Sequence, residues 1–417
     1  MTKSLKFLDL FAGAGGLSEG FIRAGCTPVA HVEIDEAACF TLKTRLVYHW
    51  LNQQGKLDYY NNYLMGKITR NELYSLAPEP LLDSVINREI SAQTISNIFD
   101  HLDTILKNEK LDLIVGGPPC QAYSLIGRSC EKNRMKGDHR NYLYVQYAEF
   151  LKRYKPKLFV FENVLGLLSA KDNSGALYFD QMLKLFRHIG YSIEYRVLSC
   201  EEYGVPQSRK RIIIIGQLGK AQGFFPELEK SPSQITIGQL FRDLPEIKSG
   251  EGTISAIKLK KKACKWLYDS NIRNDNVPLT FHQARQNNQQ DLEIYQIAAT
   301  LWADKKIRLE YNQLPDRLKT HQQRNSFLDR FKVVADNLKH SHTIVAHIAK
   351  DGHYYIHPDV NQNRSISPRE AARIQTFPDD YFFESVSGKP SRTAAYKQIG
   401  NAVPVLLAEK IAKKLMV

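Results

Sequence analysis

The chain has 417 residues and carries 57 Lys and Arg against 44 Asp and Glu, a net charge of +13. At about 150 residues per domain this length predicts two to three domains. A hydrophobic fraction of 43% suffices for an ordinary core and excludes wholesale disorder, and no apolar run approaches the roughly 18 residues of a membrane-spanning helix.

The N-terminal stretch MTKSLKFLDLFAG has no apolar segment followed by a small-residue cleavage site, so secretion is not expected. Cysteines 26, 39, 120, 130, 200 and 264 form no C-x-x-C pair, which argues against a zinc ribbon or a disulfide framework. A reduced, cytoplasmic chain is the expectation. The basic excess points to a polyanionic partner, most simply nucleic acid, although many basic proteins bind none.

In chain order, Phe7 to Leu10, Pro28 to Val32, Leu111 to Val115 and Leu158 to Phe161 are short apolar runs, each ending at Gly, Pro or a carboxylate. Such runs predict parallel strands buried on both faces. Helical patterns lie between them, at Leu17 to Ala24 and Tyr142 to Arg153. This alternation predicts an α/β fold with a doubly wound, mostly parallel sheet, whose ligands bind beyond the C-terminal strand ends.

Residues 50 to 110 read as helical decoration on that domain. Arg211 to Gly216 reads as one more buried strand. Periodicity then weakens. Residues 218 to 394 are expected to form a smaller, irregular domain with a lysine run (Lys258, Lys260, Lys261, Lys262, Lys265) and the cluster Asn287, Asn288, Gln289, Gln290. The catalytic domain is assigned to 1–217 plus 395–417. A last helix is expected from about Val403 to Leu415, with Leu407, Ile411 and Leu415 on one face and Pro404 in the first turn.

Six segments carry chemistry. In Asp9-Leu-Phe11-Ala-Gly13-Ala14-Gly15-Gly16, after the first strand, glycines let the backbone turn tightly and approach a ligand. Glu33, ending the second strand beside Ile34, can accept from ribose hydroxyls. The bland reading is a glycine-rich turn without a ligand. Gly116-Gly-Pro-Pro119-Cys120-Gln121-Ala-Tyr-Ser124 follows the strand run at 111 and holds a cysteine at the ligand edge of the sheet. A thiolate there is a nucleophile, although free cysteines are commonly buried and inert.

Phe159-Val-Phe-Glu162-Asn163-Val164 puts a carboxyl at the same edge, where it can protonate or hydrogen-bond a base ring; a surface glutamate is the common alternative. In Gln207-Ser-Arg209-Lys-Arg211 the alternating arginines share a face and can hold phosphate or carboxylate, or simply form a solvated charge run. Arg369 to Pro378 reads as an amphipathic helix, with Ser367 as N-cap, Pro368 first and Glu370 third, and is as readily structural. Gln398-Ile-Gly-Asn401-Ala402-Val403-Pro404 turns into the last helix. His340, His342, His347, His353 and His357 fall close together, but no cysteine or paired spacing completes a ligand set, so no metal is expected.

Taken together and in this order, the six segments resemble the cytosine-5 DNA methyltransferase family, over about residues 5–40, 111–216 and 364–417. The resemblance implies the fold of the class I S-adenosylmethionine-dependent methyltransferases, with methyl transfer to carbon 5 of a flipped-out cytosine in duplex DNA. It assigns Cys120 as nucleophile, Glu162 to ring nitrogen 3 and the exocyclic amine, and Arg209 and Arg211 to the target nucleotide and active-site loop. It assigns Phe11, Gly13, Ala14, Gly15 and Gly16 to the donor loop, Glu33 to the ribose and Ile34 to the adenine. Pro119, Leu143, Asn401, Ala402 and Val403 complete the donor shell. The family's usual aspartate toward the adenine amine has as its nearest counterpart Glu89, followed by Ile90 and one methylene longer.

Gln121, Ser124, Arg128, Asn163, Val164 and Gln207 are expected on the DNA side. The cationic turn from Tyr123 to Arg140 is expected to close on DNA, and residues 218 to about 345 to read it. The expected setting is bacterial: a monomer paired with a cognate restriction endonuclease. A tRNA methylase of the same fold and a catalytically inactive nucleic-acid binder are the alternatives.

Overall fold

A computed structural model describes residues 4–119, 142–259, 261–321 and 327–416. Seven strands form one sheet: β1 (Lys6–Leu10), β2 (Thr27–Glu33), β3 (Val85–Asn87), β4 (Leu113–Gly116), β5 (Leu158–Asn163), β6 (Tyr191–Ser199) and β7 (Lys210–Leu218), in the order β3-β2-β1-β4-β5-β7-β6. β3, β2, β1, β4 and β5 run parallel, whereas β7 is antiparallel to both β5 and β6.

The five apolar runs read from sequence are β1, β2, β4, β5 and β7. Two strands of this sheet were not anticipated. β3 has only three residues, and β6 is an edge strand with an exposed middle. β3 emerges from the stretch expected to be only helical decoration, where it pairs with β2.

The central strands are buried on both faces because helices cover each. On one face Leu8, Ile114, Phe159, Phe161 and Ile214 pack under the helices Ile95–Leu106, Leu143–Tyr154 and Tyr178–His188. On the other, Phe7, Val115, Val160 and Ile213 meet α1 (Gly16–Arg23) and the C-terminal helix Val405–Leu415. Gly20 is what lets these two helices touch. A β-carbon there would lie 2.4 Å from Ala408 Cβ and 2.6 Å from Glu409 N. Leu407 and Ile411 are buried as the spacing predicts. Pro404 caps this last helix instead of entering its first turn.

Residues 219 to 363 hold short elements and one long helix, Gln289–Lys305, that weak periodicity concealed. Asn288 caps it, its side chain accepting from Asp291 N at 2.7 Å, and Gln290 Nε2 is turned toward Leu318 O at 3.4 Å. Two members of the Asn/Gln cluster therefore serve local folding.

The expected domain boundary at 394 does not follow the packing. Residues 375–384 lie against α1 and α2 (Glu36–Gln53). Arg45 on α2 donates to Glu19 and to Asp380, Thr44 donates to Glu384, and Tyr381 donates to Ala14 O at 2.5 Å. Burial pulls the Glu19 carboxyl upward, but Arg45 and His49 overcome it and hold it well below the usual range. The helix Pro368–Ile374 starts at the predicted Ser367 cap with Glu370 completing a capping box. It is buried all round, not amphipathic: Arg373 is paired with Asp243 and Asp379, and Arg364 with Glu370. Fully paired and hydrogen-bonded charges are the form in which such groups tolerate burial.

Candidate active site

Beyond β1 the backbone turns through left-handed conformations at Phe11 (φ 57°), Gly13 (φ 53°) and Gly15 (φ 80°). For Phe11 this costs about 1–2 kcal/mol, the kind of strain that surrounding structure must hold in place. The turn is closed by Gly15 N donating to Ala12 O at 2.9 Å and by Gly13 N donating to Glu33 Oε2 at 2.7 Å. Glu33 Oε1 accepts from Ile34 N (2.9 Å) and Asp35 N (2.8 Å). Burial raises the Glu33 carboxyl above its ordinary range, and these backbone donors oppose the rise.

The turn forms one wall of a cavity of about 390 Å³ at the C-terminal edge of the sheet, the place where α/β folds of this kind hold ligands. Phe11, Gly13, Ala14 and Gly16 line it from the turn, and Glu33 and Ile34 from the end of β2. Ile34 is 59% exposed, an apolar face open to the cavity. Glu89 and Ile90 follow β3, Pro119 follows β4, and Leu143 opens its helix. Asn401, Ala402 and Val403 supply the wall at the start of the last helix.

Gly15 does not line the cavity. It packs behind it, where a β-carbon would come within 2.7 Å of Leu42 and 2.9 Å of the Tyr381 hydroxyl. Gly16 faces the Val403 carbonyl, which a β-carbon would approach to 2.3 Å.

The other end of the cavity is lined by Glu162, Asn163, Val164 and Arg211. Arg211 Nε pairs with Glu162 Oε1 at 2.6 Å, each side chain only 12% exposed. Gly117 makes room for this carboxylate, since a β-carbon there would lie 2.7 Å from Glu162 Oε2. Asn163, expected on the DNA side, is buried and donates to Pro118 O at 3.1 Å, which fixes the two-proline turn. Cys120, Gln121, Ser124 and Arg128, like the rest of the turn from Tyr123 to Arg140, lie outside the described residues.

Two further residues make contacts that the sequence did not indicate. Arg209 is not among the residues that line the cavity. It is buried, and its guanidinium donates to Ile344 O (2.7 Å) and Ala402 O (3.0 Å), bracing the wall from behind. Gln207 is fully buried as well: it donates to Gln375 Oε1 and accepts from Ile344 N, both at 2.8 Å. The residue at 209 precedes β7, so alternation along that strand did not fix its direction.

Sequence reasoning gave no role to four charged residues of the cavity wall. Asp9 opens the glycine motif yet was read only as its first letter. Asp35, Arg88 and Lys397 also line the cavity. Lys397 Nζ pairs with Asp35 at 2.6 Å, joining the helix Arg392–Asn401 to the start of α2. The histidines are engaged separately: His342 with Tyr354 O, His353 with Tyr295, His357 with Asp359 N.

A family profile described as C-5 cytosine-specific DNA methylase matches residues 5–58 and 84–417. The type II methyltransferase M.Bpa9945I of Bacillus paralicheniformis is 41% identical over 97% of each chain. M.DdeI, a type II methyltransferase of Desulfomicrobium norvegicum, is 30% identical over 99% of this chain and 88% of its own. Among solved structures, the fold is shared with a prophage-encoded E. coli protein described as a DNA modification methyltransferase. Its TM-score is 0.63 at 22% identity, over 99% of this chain and 98% of that one. The glycine turn, the cavity and the match along nearly the whole length agree. The chain belongs to the C-5 cytosine-specific DNA methylase family and transfers a methyl group from S-adenosylmethionine to carbon 5 of cytosine in DNA.

Proposed function

We propose that the 390 Å³ cavity holds S-adenosylmethionine and that the Glu162–Arg211 end receives a cytosine swung out of the duplex. The observation that carries this reading is that Glu33, Ile34 and the glycine turn share one cavity with the Glu162–Arg211 pair and with Pro119, the residue before Cys120. A carboxylate beside an apolar face suits a ribose and a base, and the volume suits a nucleoside-sized ligand. When bound, S-adenosylmethionine supplies the electrophilic methyl group.

Carbon 5 of cytosine is a poor nucleophile. Addition of the Cys120 thiolate to carbon 6 converts the ring to an enamine, splitting one hard step into easier ones. Glu162 hydrogen-bonds the exocyclic amine and steadies the proton at nitrogen 3. Arg211 keeps the carboxylate oriented. After methylation, loss of the carbon 5 proton to a base lets the thiolate leave. Asn163 acts by holding Pro118, and Arg209 by bracing Ala402.

The region from 219 to about 345 is proposed to contact duplex DNA, its lysines at phosphates and its other polar groups at base edges. A single such region suits a monomer, acting in the cytoplasm as the modification half of a restriction–modification pair. Among the described residues no helix is long and apolar enough to cross a membrane.

The test uses duplex DNA carrying 5-fluorocytosine, after bisulfite sequencing of a methylated plasmid library has located the target. With S-adenosylmethionine present, the parent protein becomes covalently attached and Cys120→Ser does not. Absence of a trapped species from the parent refutes the covalent reading.

A further inference from the structure

Besides Glu162 and Arg211, the cavity wall carries another ion pair, which the chemistry above does not use. Lys397 and Asp35 both line the cavity, and Lys397 Nζ lies 2.6 Å from Asp35 Oδ2. Their side chains are 58% and 29% exposed, so the pair stands at the mouth, where solvent and ligand pass. Ile34, the open apolar face of the cavity, is the residue before Asp35.

The two groups come from different elements. Asp35 follows β2 and caps α2: its Oδ1 accepts from Ala38 N at 3.1 Å, which leaves Oδ2 to Lys397. Its own N–H donates to Glu33 Oε1 at 2.8 Å, so a pull on Asp35 is felt at the carboxylate proposed for the ribose. Lys397 stands one turn before Asn401, which with Ala402 and Val403 makes another stretch of the wall. Beside it, Gln398 is buried: its Oε1 accepts from the Thr41 hydroxyl at 2.6 Å and its Nε2 donates to Glu384 O at 2.8 Å. The helix Arg392–Asn401 is therefore fastened to α2 twice, inside by a neutral hydrogen bond shut away from water and outside by an ion pair that water and salt reach.

These fastenings differ physically. A buried hydrogen bond is costly to leave unmade, whereas an exposed ion pair adds little to the stability of a fold and is screened by salt. The outer link can part while the inner one holds.

We infer that Lys397 and Asp35 form a clasp across the mouth of the donor cavity: the pair is closed in the free protein, closes again over a seated ligand, and parts each time a ligand enters or leaves. Lys397 is a positioning residue that sets how fast the methyl donor and its demethylated product exchange, without holding either. The inference rests on the reading of this cavity as the donor site.

Surface plasmon resonance of the full chain with S-adenosylhomocysteine, at low and high salt, reads the entry and release rates, and a thermal melt without ligand reads the fold. Lys397→Gln should raise both rates about two- to fivefold, the worth of an exposed pair, and leave their ratio and the melting temperature unchanged. Asp35→Asn, which keeps an oxygen for the cap, should do the same, and Lys397→Arg should restore the parent rates. Salt should quicken exchange in the parent and not in Lys397→Gln. Faster release with unchanged entry makes Lys397 a ligand contact, and a lower melting temperature with unchanged rates makes it a structural prop; either result overturns the clasp, as do unchanged rates in both variants. If the variants do not fold, the parent decides: parallel quickening of its two rates by salt supports the clasp, and none overturns it. If the parent binds no S-adenosylhomocysteine, it is the cavity reading that has failed, and the clasp falls with it.

Discussion

Replacing Gly16 by alanine separates close approach from backbone freedom. Gly16 has ordinary dihedral angles, but an added β-carbon would stand 2.3 Å from the Val403 carbonyl oxygen, 3.1 Å from Ala402 Cβ and 3.4 Å from Phe377. To open 2.3 Å even to 3.0 Å, the wall carrying Asn401, Ala402 and Val403 must retreat by about 0.7 Å. Overpacking of this kind costs about 1–3 kcal/mol, offset by about 0.4–1 kcal/mol from the less flexible unfolded chain. The fold should lose about 1–2 kcal/mol of stability, and the retreat of the wall that carries Asn401, Ala402 and Val403 should weaken donor binding besides. Gly13→Ala is the contrast: nothing lies within 4 Å of the new β-carbon, and only the strain of φ 53° remains. Calorimetric binding of S-adenosylhomocysteine with a thermal melt of each variant reads both effects. If Gly16→Ala binds as tightly as the parent with an unchanged melting temperature, the close approach is not what this glycine is for.

Two further outcomes follow from the buried charges. Arg211→Ala leaves Glu162 without its cation, so kcat should fall by about 10²-fold, with donor affinity changing less; an unchanged kcat would dissociate the pair from the chemistry. Burial holds the His31 pKa down at about 4 against an ordinary 6.5, so the unfolded chain binds the proton first and this contribution to stability drains away as pH falls from 6.5 toward 4. Asp9 works in the opposite direction between about 4 and 8. Urea denaturation of His31→Gln, which keeps a partner for Ser18, should therefore lose up to about 2 kcal/mol less than the parent between pH 6.5 and 4.5. An identical slope in the two proteins would contradict the assignment.

The strands of the sheet centre were legible because burial on both faces turns each into an uninterrupted apolar run, as in Leu113–Gly116. That signal disappears where one side is wet, as along β6, or where a strand has three residues, as in β3. The helix Gln289–Lys305 escaped because its buried stripe of Ile294, Tyr295, Ala298, Ala299 and Trp302 is diluted by alanines that any element accepts. Segment order located the cavity walls, since each motif ends a strand or opens a helix. Side-chain direction was harder. Arg209 and Arg211 read as equivalent in sequence, yet one pairs with a cavity carboxylate and the other grips two carbonyls behind the wall. What separates them is the neighbouring chain at 344 and 402, remote in sequence.

With residues 219 to about 345 proposed as the part that contacts DNA, the grip of Gln207, Arg209 and Gln375 on residues 344 and 399–402 bears on how new target preferences would arise. Ser341 and Thr343 are also stitched to the backbone of residues 206–208. A segment transplanted from a relative to change which bases are read would have to join the host before position 341. A junction placed later would carry foreign chain into the masonry of the donor cavity and alter methyl transfer along with sequence choice.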